Sequence, residues 1–404
     1  MIQAVAIRAL AIAAALALPS AALAQEPDPT DWPAVLAEAE GQTVYWHAWG
    51  GDTRINDFIA WAGERIEEEH GVALEHVKLS DTADAVSRVI AEKAAGQLDG
   101  GSVDAIWING ENFISLKAQG LLFGPFAESL PGYAQVNTTN DVIVTDFQEP
   151  VEGMESPWLL GQFVLYYDEE VTPVPPRSPA QWLEHAKAHP GRLTYPQPPD
   201  FTAGTFLKQI LISLEGDVAP FLSPLEGAED EARLEALFTY LDALHPHLWR
   251  SGRAFPAGAP ALRALLSDGE IDVAFSNNPS EAAGAIASGE LPETVVAYTF
   301  DGGTIGNASF IAIPFNANAK AGAMVLADFL LSPEAQARMQ DPTIWGAPSV
   351  LDIAALEGAA AEAFAGADDV PGFPAPAELA VTIPEPHGSW LAAIETEWQR
   401  RYGG

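Results

Sequence analysis

Cysteine is absent from all 404 residues. That excludes a disulfide framework, thiol chemistry and cysteine metal sites, and with them a lipoprotein anchor, which needs a cysteine at its cleavage point. Basic residues are scarce: 19 Lys and Arg stand against 56 Asp and Glu, for a formal charge of -37. A field of that sign works against nucleic acid and anionic membrane partners and concentrates cations, although acidic surfaces also serve solubility alone.

Other absences remove whole classes of chemistry. Gly50-Gly51 stands alone with no lysine beside it, so there is neither a P-loop nor a dinucleotide fingerprint. Gly-x-Ser-x-Gly, Ser-x-x-Lys and a plausible triad are missing. The histidines are scattered without the spacing of a known metal site, and Tyr166-Tyr167 lies in an extended stretch where adjacent side chains face opposite ways. Carboxylate pairs are too common in so acidic a chain to indicate glycoside hydrolysis. No catalytic residue, metal or cofactor is expected.

The chain begins MIQAVAIRALAIAAALALPSAALAQ, with Arg8, an apolar run from Ala9 to Leu18, and a small-x-small site at Ala22-Leu23-Ala24. This is the pattern of a secretory signal peptide over 1–24, cut after Ala24. The run is shorter than the roughly 20 residues that span a bilayer, and nothing after it is long enough either, so a soluble periplasmic protein is expected. Residues 25–404 exceed the roughly 250 to 300 at which one core stops growing, which favours two domains.

Thr43 to Trp49 alternates as a strand does, and Ile55, Phe58, Ile59, Ala62 and Ile66 follow at helical spacing until Gly71. A second strand is predicted over 72–80, a helix capped by Asp81, a third strand over 103–108 and a helix over 111–119. This alternation predicts an α/β fold with right-handed crossovers and a parallel sheet, whose ligands bind at the carboxyl ends of the strands. Pro157 to Asp168 reads as one long strand. A second α/β unit begins near Arg177, with a helix over 179–188, a short strand over 192–195, a helix around 231–244 and strands at 271–275 and 295–312.

The segment SFIAIPFNANAKAGAMVLADFLLSPEAQARMQ, residues 309–340, resembles the late return segment of the extracellular solute-binding proteins of ABC importers. More narrowly, YWHAWGGD, DAIWINGENFISLKAQGLLFGPF and SPWLLGQFVLYYD resemble the YnjB-type binding proteins, a group associated with thiamine transport. The resemblance implies a two-lobed clamshell of the type II kind with two hinge crossings, near 158–167 and 295–312. It places a first lobe at 25–157 and 311–404, including the C-terminal helices, and a second lobe at 158–310. It further implies a membrane permease as partner, a small-molecule ligand and a monomer.

Candidate pocket residues are the aromatics and polar groups at inferred strand ends: Trp46, Trp49, Asp52, Asn109, Glu111, Trp158, Gln162, Tyr195, Thr202, Asn277 and Asn278. Aromatic walls with carboxylates suit a flat or cationic organic solute such as thiamine. Trp46 and Trp49 are an odd number of positions apart and face opposite ways in a strand, so one belongs to the core if the other lines the cleft. Asp52 reads equally as helix N-cap and as ligand contact. The alternatives are a sugar or other polar neutral solute, a secreted hydrolase on a related two-lobed fold, and a sensory rather than a transport role.

Overall fold

A computed structural model describes residues 26–364, 370–375 and 377–403. The expected signal peptide lies outside the described residues. The first lobe is built as the alternation predicts. Strand β1 (Thr43–Trp49) leads into helix α1 (Thr53–His70), then β2 (Ala73–Leu79), α2 (Ala83–Ala94), β3 (Ala105–Ile108) and α3 (Glu111–Ala118). Gly71 ends α1 in the left-handed conformation, at φ 66°, which glycine adopts without steric penalty.

The extended stretch from Pro157 to Asp168 is two strands rather than one. β4 (Glu155–Gln162) belongs to the first-lobe sheet and β5 (Val164–Asp168) to the second, with the break at Phe163. Helices α4 (Pro179–Ala188), α5 (Phe201–Glu215) and α6 (Gly227–Leu244) follow, then strand β6 (Val273–Ser276), helix α7 (Glu281–Ala287) and strand β7 (Val295–Tyr298). The predicted strand over 192–195 does not form. Its backbone instead caps neighbouring segments, Arg192 accepting from the N–H of Asp272 and Leu193 from that of Trp249.

β8 (Thr304–Ala312) returns to the first lobe. It pairs antiparallel with β4 along one edge, and along the other with β3 and, in parallel, with the short β9 (Thr382–Pro384). β1 pairs in parallel with β2 and β3. The second-lobe sheet is antiparallel, with β5 between β6 and β7, because the chain enters it by a hinge strand rather than by a βαβ crossover. The lobes are thus joined at Phe163 and between Tyr298 and Thr304, as expected, and β9 adds a third connection.

That third connection corrects the placement of the C-terminal helix. In helix α8 (Gly388–Tyr402), Trp390, Ile394 and Trp398 are buried in the second-lobe core with Tyr195, Phe206 and Leu241. The apolar face of the helix buries itself against that core, while its Gly388 end meets Ile114 of the first-lobe helix α3.

Candidate functional site

The carboxyl ends of β1 and β3 face the second lobe across a cavity of about 480 Å³. The turn after β1 supplies the first wall. Trp46 is fully buried, whereas Trp49 is half-buried and lines the cavity, as the alternation of the strand requires. A Cβ on Gly51 would sit 2.4 Å from the Trp49 ring, so a glycine is needed there for the indole to fold over the turn. Asp52 caps α1, accepting from the N–H groups of Arg54 at 2.8 Å and Ile55 at 3.4 Å, and it also lines the cavity.

Of the predicted residues, Trp49, Asp52, Asn109, Glu111, Thr202, Asn277 and Asn278 come together around this cavity. Four do not line it. Trp46 and Trp158 are core residues, with ring centroids 5.2 Å apart. Trp158 backs the cleft wall, packing edge-on against Trp107 at 4.8 Å and against Trp345 at 5.4 Å, both of which line the cavity. Gln162 is turned along the hinge, its amide donating to Thr304 Oγ1 and the Val381 carbonyl. Tyr195 is buried in the second-lobe core, its hydroxyl bonded to His245 Nε2 at 2.6 Å and accepting from Trp398 Nε1 at 2.8 Å.

The structure adds further lining residues, Arg54, Asp81, Trp107, Asp200, Trp345 and Glu395 among them. Trp107 had a signal, since it lies two positions before Asn109 and so shares its face of β3. Asp200 had one too, as the N-cap of α5, accepting from the Ala203 N–H at 3.0 Å. Glu395 had none, because only long-range packing of α8 brings it to the cleft.

The charges in the cavity fall into two groups. At one side Arg54, from the first lobe, reaches Glu281 of the second at 2.9 Å and Asp52 at 3.4 Å; Arg263 pairs with Glu281 and lies 3.7 Å from Asp52. Burial works against ionisation of Asp52, but the Arg54 guanidinium overcomes it and holds the carboxyl below its ordinary range. Gly284 closes this contact, since a Cβ there would lie 1.7 Å from Arg54 Nη1. The Asn278 amide donates to the Trp345 carbonyl at 3.0 Å on the same side.

The second group is Asp81, Glu111, Asp200 and Glu395, none of which pairs with a basic residue among the described residues. Burial raises Asp200 to about 6, with Asp81 adding to the effect. Burial likewise raises Glu395 to about 7, with Glu111 and Asp81 pushing the same way and Lys208 opposing. Glu111 is open to the cleft, yet desolvation by the surrounding walls raises it too. Lys208, whose charge opposes the shifts of Glu111 and Glu395, is itself buried and committed to Glu385 at 2.5 Å.

Two α/β lobes joined by hinge strands around a polar, aromatic-walled cavity define a binding protein that closes on a solute. The chain belongs to the bacterial extracellular solute-binding protein family, whose model matches residues 61–366. It is 44% identical over 374 residues to protein YnjB of Escherichia coli, covering 93% of this chain and 94% of that one. Among solved structures it is similar to the PotD lipoprotein of Treponema pallidum, with a TM-score of 0.64 and 12% identity over 89% of this chain and 98% of that one. It is also similar to the spermidine/putrescine substrate-binding protein PotD of Streptococcus pneumoniae, with a TM-score of 0.59 and 15% identity over 89% and 99% of the two chains. At those identities the likeness is one of fold. The chain is therefore an extracellular solute-binding protein rather than an enzyme, and the hydrolase alternative falls.

Proposed function

We propose that this protein is exported by its leader, acts as a monomer in the periplasm, and captures a small organic cation between its lobes for delivery to the permease. The observation that carries the reading is the set of cleft carboxylates without a cationic partner among the described residues: Asp81, Glu111, Asp200 and Glu395. Desolvated carboxylates that repel one another are costly in the empty protein, and a bound cation offsets that cost. Trp49, Trp107 and Trp345 supply faces on which a cation or a flat ring stacks. Thiamine, a ringed cation, is the first candidate.

A neutral sugar is the second reading, favoured by the indoles together with the amides of Asn109, Asn277 and Asn278. The uncompensated carboxylates count against it. A thermal-shift screen of the mature chain separates the two, because a ligand that binds only the native state raises its melting temperature. Organic cations, thiamine included, are expected to raise it and neutral sugars to leave it unchanged; the reverse pattern rejects the cation reading.

A further inference from the structure

Resting on the cation reading above, we infer that Gly161 and Asn307 form a subsite at the hinge that accepts hydrogen bonds and offers none, so that among organic cations the protein selects those carrying an N–H donor. The register of the sheet puts the two residues together. β4 and β8 pair antiparallel with Gly161 directly opposite Asn307, and residues opposite one another share a face of a sheet. Both line the cavity between the lobes. Because position 161 has no side chain, the Asn307 amide lies over bare backbone. Asn307 Oδ1 is 3.2 Å, and the Asn277 carbonyl oxygen 3.1 Å, from the point where a Cβ on Gly161 would stand. Apart from the glycine and its two chain neighbours, no other atom of the described residues comes within 4 Å of that point.

The amide is held in that orientation from behind. Asn307 also borders a second cavity, of about 210 Å³, which Glu385 lines as well. On that side Asn307 Nδ2 donates to Glu385 Oε1 at 2.8 Å, and Lys208 Nζ donates to Glu385 Oε2 at 2.5 Å. A carboxylate matched by a lysine only accepts, so it takes the NH2 end of the amide and leaves Oδ1 to the cleft. Asn307 is buried, and turning it over would set Oδ1 against the carboxylate and leave both without a donor. The Asn277 carbonyl accepts from the Gln162 N–H at 3.0 Å, which leaves it a second lone pair. Two acceptors therefore flank the open face of Gly161, and a polar group that rests there is bound without loss only if it donates. An amino or ammonium nitrogen meets that demand; a quaternary nitrogen or a ring C–H does not. Glu385 is a positioning residue, acting through Asn307.

The test is titration calorimetry with probes matched in charge: thiamine against its analogue lacking the ring amino group, and benzylamine against benzyltrimethylammonium, with glucose as a neutral control. In whichever pair binds, the member with the N–H donor is expected to bind about tenfold or more tightly, the loss that follows when a buried acceptor goes without its donor. Gly161 is not among the residues of positive φ, so Gly161→Ala keeps the strand while filling the subsite. It is expected to remove most of the ratio with little effect on the donor-free probe, and Asn307→Leu to do the same. Glu385→Gln presents an amide that pairs with Asn307 in either orientation, and is expected to shrink the ratio without abolishing binding; Gly161→Ala carries the test if that variant folds poorly. Equal affinities within a pair, or a ratio untouched by Gly161→Ala and Asn307→Leu, overturn the inference while the cation reading stands. If glucose binds and no cation does, or if no probe binds, both fail.

Discussion

Replacing Arg54 with methionine removes the guanidinium that ties the lobes together while keeping much of its apolar stem. In the closed structure Glu281 then keeps only Arg263, and its side chain, 7% exposed, loses a partner 2.9 Å away. Truncating one member of a desolvated pair costs about 2 to 5 kcal/mol. The Arg54 side chain is 21% exposed, so the low end applies, about 2 kcal/mol. Most of that loss is confined to the closed state, because opening returns Glu281 to water. A loss of that size shifts the ligand-free equilibrium toward the open form by about thirtyfold. The absence of cysteine makes the assay direct: Leu98 and Val174, one in each lobe, are 63% and 80% exposed, and cysteines placed there take a donor and an acceptor dye. Single-molecule transfer is expected to show the Arg54→Met variant at a longer interlobe distance than the parent. Glu281→Gln should do the same, and the double variant should add little to either change. A distance distribution unchanged by both variants would refute the latch.

The acid-raised cleft gives a pH dependence of stated sign. The Glu395 carboxyl, raised to about 7, faces Glu111, Asp81 and Lys208; it takes up a proton on folding, so its contribution to the ligand-free melting temperature falls as pH rises from about 4.5 to 7, and Glu395→Gln should flatten that fall. Cation affinity runs the other way, rising over the same window as binding drives ionisation, and calorimetry in buffers of different ionisation enthalpy should detect released protons. Glu155 is buried in β4 with both carboxyl oxygens unpartnered among the described residues, and burial raises it well above its ordinary range; Glu155→Leu is expected to raise stability at pH 8 by on the order of 1–3 kcal/mol in chemical denaturation. Trp107→Ala should weaken cation binding by roughly 2- to 30-fold through lost stacking, consistent with about 0.5 to 2 kcal/mol per cation–π contact.

The first lobe was legible because its signals are local. Alternation in Thr43 to Trp49 separates the buried Trp46 from the cleft-facing Trp49, and Asp52 and Gly71 delimit α1 as cap and stop. The second lobe was less legible, since its fate is decided by partners far away in the chain. Tyr195 sits in what reads as an apolar strand, but hydrogen bonds to His245 and Trp398 draw it into the core. Gln162 is turned by the hinge strand that begins at Thr304. The family resemblance implies a first-lobe position for the last helix, and only the burial of Trp390 and Trp398 beside Tyr195 and Phe206 places it in the second. The same packing delivers Glu395 to the cleft, which explains why a residue so close to the chain end escaped notice.

Native mass spectrometry of the mature chain, incubated with an equimolar mixture of thiamine, diamines, amino acids and neutral sugars, tests the central claim most directly. The expected spectrum shows one organic cation bound per chain, lost when Glu111 and Glu395 are both changed to glutamine. A sugar or other neutral solute bound in its place, or a cation adduct untouched by that double change, would contradict the account.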